Sequence, residues 1–445
     1  MKMKRTIWTL ILLWCGHIFT VNAQQNIAFN PPMGFNSYTC YNNSLSQEIA
    51  IKLIDVLAEK YKPLGYDYFV IDLGWYTEED KLHIDKYGYP EPSRVFFSNG
   101  IKALCDYAHS KDIKLGLHLM RGVLRQAITD GSMVKGTNIP IQEIVNSESI
   151  CTWCGFTIGV DMNKKGAQEY YDGLMQKMAD WGVDFIKYDD ITGMPDELLA
   201  ISKAIKKTGR PILLSLSPGE DTKMEYVPYY KNSNMLRVTA DIWDNQSSID
   251  RSFDAMKVYQ GMGMPGFWPD LDMIPLGRLE VLKTGQEFDN RARKSKFTKD
   301  QAESFITQRS IFASPLFIGG DLLTMDAHSD ALLTNKRMIE CNQNGVSGSL
   351  VYMSDSLEIY KAVNKNDTDR GWLAIFNRSK KTQNKKLGKT DLGFSFNRPI
   401  LNILIPNYHL FDIWNEKDYY LKTDIELSIP SNGVAFFEFT KINKK

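Results

Sequence analysis

Apolar residues in the first three quarters of the chain alternate between two patterns. Short runs rich in Val, Ile, Leu, Phe and Tyr occupy 33–38, 66–75, 114–120, 183–190, 211–217, 236–241, 266–273 and 314–321. Continuous apolar runs of this length suit strands buried on both faces of a parallel sheet. Between them, apolar residues recur three and four positions apart. The clearest case is 164–181, where Ala167, Tyr171, Leu174, Met178 and Trp181 share one helical face and Gly182 follows as a C-cap. The segments 46–61, 100–111, 196–208, 247–262 and 298–312 behave similarly. Repeated strand–helix alternation predicts an α/β fold, a (β/α)8 TIM barrel rather than an open doubly wound sheet. No glycine-rich phosphate loop opens any of these helices.

Past Asn342 the helical spacing stops. Strand-like pieces at 348–353, 358–363, 372–377, 400–404, 408–414, 425–429 and 434–439 are separated by polar turns, which predicts a C-terminal antiparallel β-sandwich. The stretch 121–161 is too long for an ordinary barrel loop. It carries Arg121, Arg125 and Trp153, and long loops on a barrel's active face serve as lids or specificity walls.

The start of the chain has a different character. Lys2, Lys4 and Arg5 precede an apolar run at 7–19, followed by Val21-Asn22-Ala23. This reads as a signal peptide cleaved after Ala23, exporting the protein to the periplasm or beyond. Trp14 before Cys15 does not suit a lipoprotein signal. The chain thus divides into a signal peptide at 1–23, a catalytic barrel at 24–340 and a sandwich at 341–445. No later segment reads as membrane-spanning.

Composition narrows the function. Of 445 residues, 43% are hydrophobic and 24% charged, as in an ordinary globular protein, and the formal net charge is +0. With no basic stripe either, a nucleic-acid partner is excluded. Of six cysteines, Cys15 falls in the leader, so the mature chain holds an odd number. Cys151 and Cys154 have the spacing of a loop disulfide or of two free thiols. With no second closely spaced cysteine pair, a zinc site is not expected.

Two carboxylates stand out. Asp189 closes the run 183–189 and Asp241 closes 236–241, each where a strand gives way to a loop. Parallel barrels collect strand-end residues on one face, and two convergent carboxylates are the minimum equipment for glycoside hydrolysis. Lys187 lies two residues before Asp189, on the same strand face, where its charge favours an ionised nucleophile. Arg237 lies four residues before Asp241, with the same parity.

The motifs resemble, in order, those of the family 27 glycoside hydrolases, the α-galactosidase family. They are Pro32-Met33-Gly34-Phe35-Asn36-Ser37-Tyr38, Val70-Ile71-Asp72-Leu73-Gly74-Trp75, Phe185-Ile186-Lys187-Tyr188-Asp189, Arg237 with Asp241, Gly266-Phe267-Trp268-Pro269-Asp270-Leu271-Asp272-Met273, Ala313-Ser314-Pro315-Leu316 and Leu410-Phe411-Asp412-Ile413-Trp414. The resemblance implies a retaining exo-glycosidase acting on terminal α-D-galactosyl-like residues of a glycan, without cofactor or metal. Asp189 would be the nucleophile and Asp241 the acid/base. Tyr38, Asp72, Trp75, His118, Lys187, Ser217, Arg237 and Asp272 would surround the sugar. Three departures bear on specificity. Leu73 replaces the second aspartate that holds the 4- and 6-hydroxyls, Ser217 replaces a glutamate near the 2-position, and His118 replaces a tyrosine. They keep α-N-acetylgalactosaminidase and β-L-arabinopyranosidase activities open. A glycan-binding barrel without catalysis would have no need of both Asp189 and Asp241.

Overall fold

The structure, a computed structural model, describes residues 27–78, 81–218, 222–281, 292–394 and 406–442. The expected leader and the strand expected at 400–404 lie outside the described residues. Eight strands form the central sheet: β1 (Met33–Asn36), β2 (Tyr68–Ile71), β3 (Lys114–Met120), β4 (Phe185–Asp189), β5 (Leu213–Leu216), β6 (Met235–Arg237), β7 (Trp268–Asp270) and β8 (Leu316–Ile318). They pair in parallel in the order β7-β6-β5-β4-β3-β2-β1-β8. A parallel bridge from Ile274 to Ile318 joins the two ends, so the sheet closes as the expected barrel. β1 runs very close to β2: a Cβ on Gly34 would lie 2.3 Å from the Tyr68 carbonyl oxygen, so only glycine fits there.

Alternation along the strands sorts side chains between two faces. Outward-facing Phe69, Ile71, Leu117, Leu119, Ile186, Leu214 and Leu236 are buried against the helices in the main core. Inward-facing Tyr68, Val70, Phe185, Leu213, Met235 and Phe317 form a separate apolar plug in the barrel. The same parity carried toward the strand C-termini brings Asp72, Lys187, Asp189 and Arg237 to the top of that plug.

The helices follow the sequence periodicity. Ala167–Trp181 ends at Gly182, which adopts φ +86°. Lys299–Phe312 opens with a capping box between Thr298 and Gln301. This last helix lies against the C-terminal region, where Trp414 Nε1 donates to Thr307 Oγ1 at 2.9 Å and Ser304 Oγ donates to the Asn432 carbonyl at 2.8 Å.

The C-terminal region is an antiparallel six-stranded sheet, with Gln383–Gly388 and Asp424–Ile429 forming a second layer. Leu357, Ile375, Leu427 and Phe437 are among the residues packed between the layers. The opposite face of the larger sheet, including Tyr360, Trp372 and Phe376, joins the barrel's core. Gln383–Gly388 and Lys417–Leu421 were not expected from the sequence. Each buries only a single leucine and is held by backbone pairing, so neither leaves an apolar alternation to read.

The long segment after β3 is folded. Val123–Leu124, Thr157–Val160 and Val145–Ile150 make a small three-stranded sheet beside the barrel mouth. Among the described residues, no helix is long and apolar enough to cross a membrane.

Candidate active site

A cavity of about 860 Å³ opens at the C-terminal end of the barrel. Tyr38, Asp72, His118, Lys187, Asp189, Arg237, Asp241 and Asp272, all expected from the sequence, line it. Their side chains form one charge network. Lys187 Nζ donates to Asp72 Oδ2 at 2.8 Å, and Asn36 Nδ2 donates to the same oxygen at 2.7 Å. Asp72 Oδ1 accepts the Leu73 backbone N–H at 2.8 Å. Lys187 also lies over the Tyr38 ring, 5.8 Å from its centroid.

Asp189 is nearly buried. Its Oδ2 lies 3.2 Å from His118 Nε2, and its Oδ1 accepts the Asp190 N–H at 2.9 Å. Burial alone would favour the neutral acid. The His118 hydrogen bond and the charges of Lys187 and Arg237 outweigh it and hold the Asp189 carboxyl well below the usual carboxylate range. For Asp72 too, burial is opposed by Lys187 and the balance favours the carboxylate. Burial works against the Lys187 charge, and Asp72 with Asp189 more than restores it, so the ammonium is retained.

Asp241 is different. Its side chain is 67% exposed, and its Oδ1 meets Arg237 at 2.8 Å. The same Arg237 nitrogen lies 3.5 Å from Asp272 Oδ2. Asp272 is held in a left-handed backbone conformation, φ +71°, with Oδ1 accepting the Met273 N–H and Oδ2 the Ile242 N–H. Beneath it, burial and the neighbouring Asp272 push the Asp270 carboxyl up to about 7, and Asp270 Oδ1 accepts the Asp272 N–H at 2.9 Å. The pocket thus holds one buried, hydrogen-bonded carboxylate kept ionised and one exposed carboxylate. This division of labour suits a nucleophile and an acid/base.

Two expected sugar contacts do not line this cavity. Trp75 is 1% exposed, and its Nε1 donates to the His118 carbonyl at 2.7 Å. It packs edge-on against Tyr76 and Trp181, so it braces β3 behind His118. Ser217 lines a small chamber inside the barrel instead, with Lys187, Arg237, Asp270 and Asp272. Ser217 continues the inward parity of Leu213 and Ser215, two layers above Leu213, which directs its hydroxyl into the barrel rather than at the cavity. Pro218 forms the cavity wall there.

Arg121 is also structural. It is buried, bridging Asp190 Oδ2 at 2.9 Å, Glu197 Oε1 at 3.1 Å and Ser149 Oγ at 3.0 Å, and so ties the long segment to the end of β4. Cys151 and Cys154 are free thiols. Trp153, on the long loop expected to wall the active face, lines the cavity, and Trp243, Arg251 and Tyr259 line it without having been assigned to it from the sequence. They come from loops and a helix, where no strand-end rule points to them.

A closed barrel with two carboxylates at its mouth, one buried and one exposed, has the equipment of a glycoside hydrolase. The family model for α-galactosidase A matches residues 35–146 and 157–344, and the chain belongs to that family, the family 27 glycoside hydrolases. It is similar to a family 27 β-L-arabinopyranosidase from Geobacillus stearothermophilus, with 31% identity, a TM-score of 0.87, and coverage of 95% of this chain and 99% of the other. It is 25% identical to α-galactosidase A of Cellvibrio japonicus over 92% of both chains. It is 26% identical to α-N-acetylgalactosaminidase of Rattus norvegicus, over 86% of this chain and 82% of that one.

Proposed function

We propose that the protein removes terminal β-L-arabinopyranosyl residues from glycans, with α-D-galactosyl residues as second substrates. The observation that carries this reading is Leu73 in the cavity wall beside Asp72. β-L-Arabinopyranose has the ring and hydroxyl arrangement of α-D-galactopyranose, with a hydrogen in place of the hydroxymethyl group. Asp72 offers an acceptor for the shared axial hydroxyl. Leu73 offers only methyl groups where a second carboxylate would bind the 6-hydroxyl, so the sugar lacking that group fits without a desolvated, unpaired hydroxyl. The similarity to the Geobacillus enzyme supports the same choice.

Asp189 attacks the anomeric carbon while Asp241 gives its proton to the departing glycosidic oxygen. The bond to the aglycone breaks and an ester to Asp189 forms. Water then attacks the anomeric carbon, Asp241 takes its proton, and Asp189 leaves. The exposure of Asp241 gives it room to turn from Arg237 toward the leaving oxygen. Lys187 and His118 stabilise the carboxylate that is consumed and released. Arg237 and Asp272 bind the hydroxyl next to the anomeric centre. The basic and apolar start of the chain supports export as the route to such a substrate.

The test is kcat/KM on 4-nitrophenyl β-L-arabinopyranoside and α-D-galactopyranoside. An apolar wall discriminates by about 1–3 kcal/mol, so the arabinoside should lead by roughly ten- to two-hundredfold. An α-galactoside preference would remove the role given to Leu73.

A further inference from the structure

The cavity is larger than one sugar needs. At about 860 Å³ it lies near the top of the roughly 300–1,000 Å³ range of ligand sites, which leaves room for more than one pyranose ring. Its floor holds the charged, buried groups on the strand ends. Its outer part holds a tryptophan whose indole is unusually open: Trp153 is 48% exposed, yet it lines the cavity. The family match lapses at 147–156, the stretch that carries Trp153.

The turn that presents Trp153 is pinned. The Cys151 N–H donates to the Thr157 carbonyl at 3.2 Å, and the Gly155 N–H closes back on the Cys151 carbonyl at 3.0 Å. Arg125 holds the far side, its N–H bonding the Phe156 carbonyl at 2.9 Å and its Nη1 the Gly155 carbonyl at 3.1 Å. The Cys151 side chain is buried beneath. An exposed indole on a fixed turn loses little conformational entropy when a ligand lands on it.

Its place in the barrel identifies the ligand. Trp153 rises after β3, whereas Asp241 rises after β6, on the other side of the mouth. If Asp241 protonates the glycosidic oxygen, that oxygen marks the boundary between the sugar being removed and its aglycone. The ring being removed lies on the Asp72–Lys187–Asp189 floor, and the next ring lies outward, between the two walls. Pyranose C–H bonds present a weakly positive face that matches the negative face of an indole.

We propose that Trp153 is the stacking platform of an aglycone subsite, and that it selects substrates whose leaving group is itself a pyranose. This rests on the reading of the cavity floor as the site of the terminal sugar. The test compares two substrates with the same terminal sugar, its glycosyl fluoride, which has no aglycone ring, and a disaccharide with a pyranose aglycone. Trp153→Ala should lower kcat/KM on the disaccharide by about ten- to a hundredfold more than on the fluoride. Trp153→Phe should recover most of that difference, which a general folding defect would not. Equal losses on both substrates, or no loss on the disaccharide, would overturn the subsite. A wild-type protein that hydrolyses neither compound would overturn the terminal-sugar reading itself, and the subsite with it.

Discussion

Replacing Lys187 by methionine tests the charge network directly. Lys187 and Asp72 are paired at 2.8 Å, with side chains only 12% and 2% exposed. Met has similar length but no charge, so Asp72 would be left as a buried carboxylate with a single side-chain donor, Asn36. Removing one partner of a buried pair costs about 3–5 kcal/mol, because the other charge remains desolvated. The sign with pH follows from Asp72. In the native protein its carboxyl is held low, so it contributes stability above the unfolded carboxylate range, lost as pH falls through the folded value. Without Lys187 the folded value rises, and acidification should relieve part of the deficit by protonating Asp72. The double variant Lys187→Met/Asp72→Asn has no stranded charge at position 72, and Asp189 keeps His118 and Arg237, so it should unfold at a temperature between the single variant and wild type. Thermal unfolding at neutral and mildly acidic pH measures all three, with Lys102→Met as a control. Lys102 pairs with Asp106, but both are about 60% exposed, and exposed pairs contribute little. If Lys187→Met is no more harmful than Lys102→Met, or if the double variant is the least stable, the buried-network argument fails.

Asp189→Ala should lose several orders of magnitude in kcat while keeping its fold, and azide should partly restore turnover by replacing the missing nucleophile; unchanged hydrolysis in the folded variant would dismiss Asp189 from that role. Leu73→Asp should move the kcat/KM ratio toward the α-galactoside by about tenfold or more, since a site built to bind a hydroxyl discriminates strongly for it; an unmoved ratio would separate residue 73 from sugar choice. The mature protein recovered from its native host should begin at Gln24, read by N-terminal sequencing, and a retained Met1 would exclude cleavage and export by this signal.

The barrel was legible because its strands carry their own evidence. Parallel strands covered on both faces are apolar through their middle, and Tyr68–Ile71 shows this in sequence as it does in β2. The strand-end chemistry was legible for the same reason: the two-residue period that buries Phe185 also carries Lys187 and Asp189 to the barrel mouth. Where that period carries a residue was not enough to say what the residue meets. Ser217 has the right parity, yet it opens into an interior chamber rather than the cavity. Trp75 stands in the right motif, yet it braces a strand from behind. Arg121 follows β3, yet its guanidinium is consumed by Asp190 and Glu197. Trp153 and Trp243 come from loops with no repeating pattern and Arg251 from a helix whose periodicity marks only its buried face, and only the closure of the barrel sets the first wall across from the second. Local periodicity therefore determined which residues point toward the barrel axis, because backbone pleating alone decides that. Depth, wall and partner depended on how eight strands and their loops converge, and only the tertiary structure decided them.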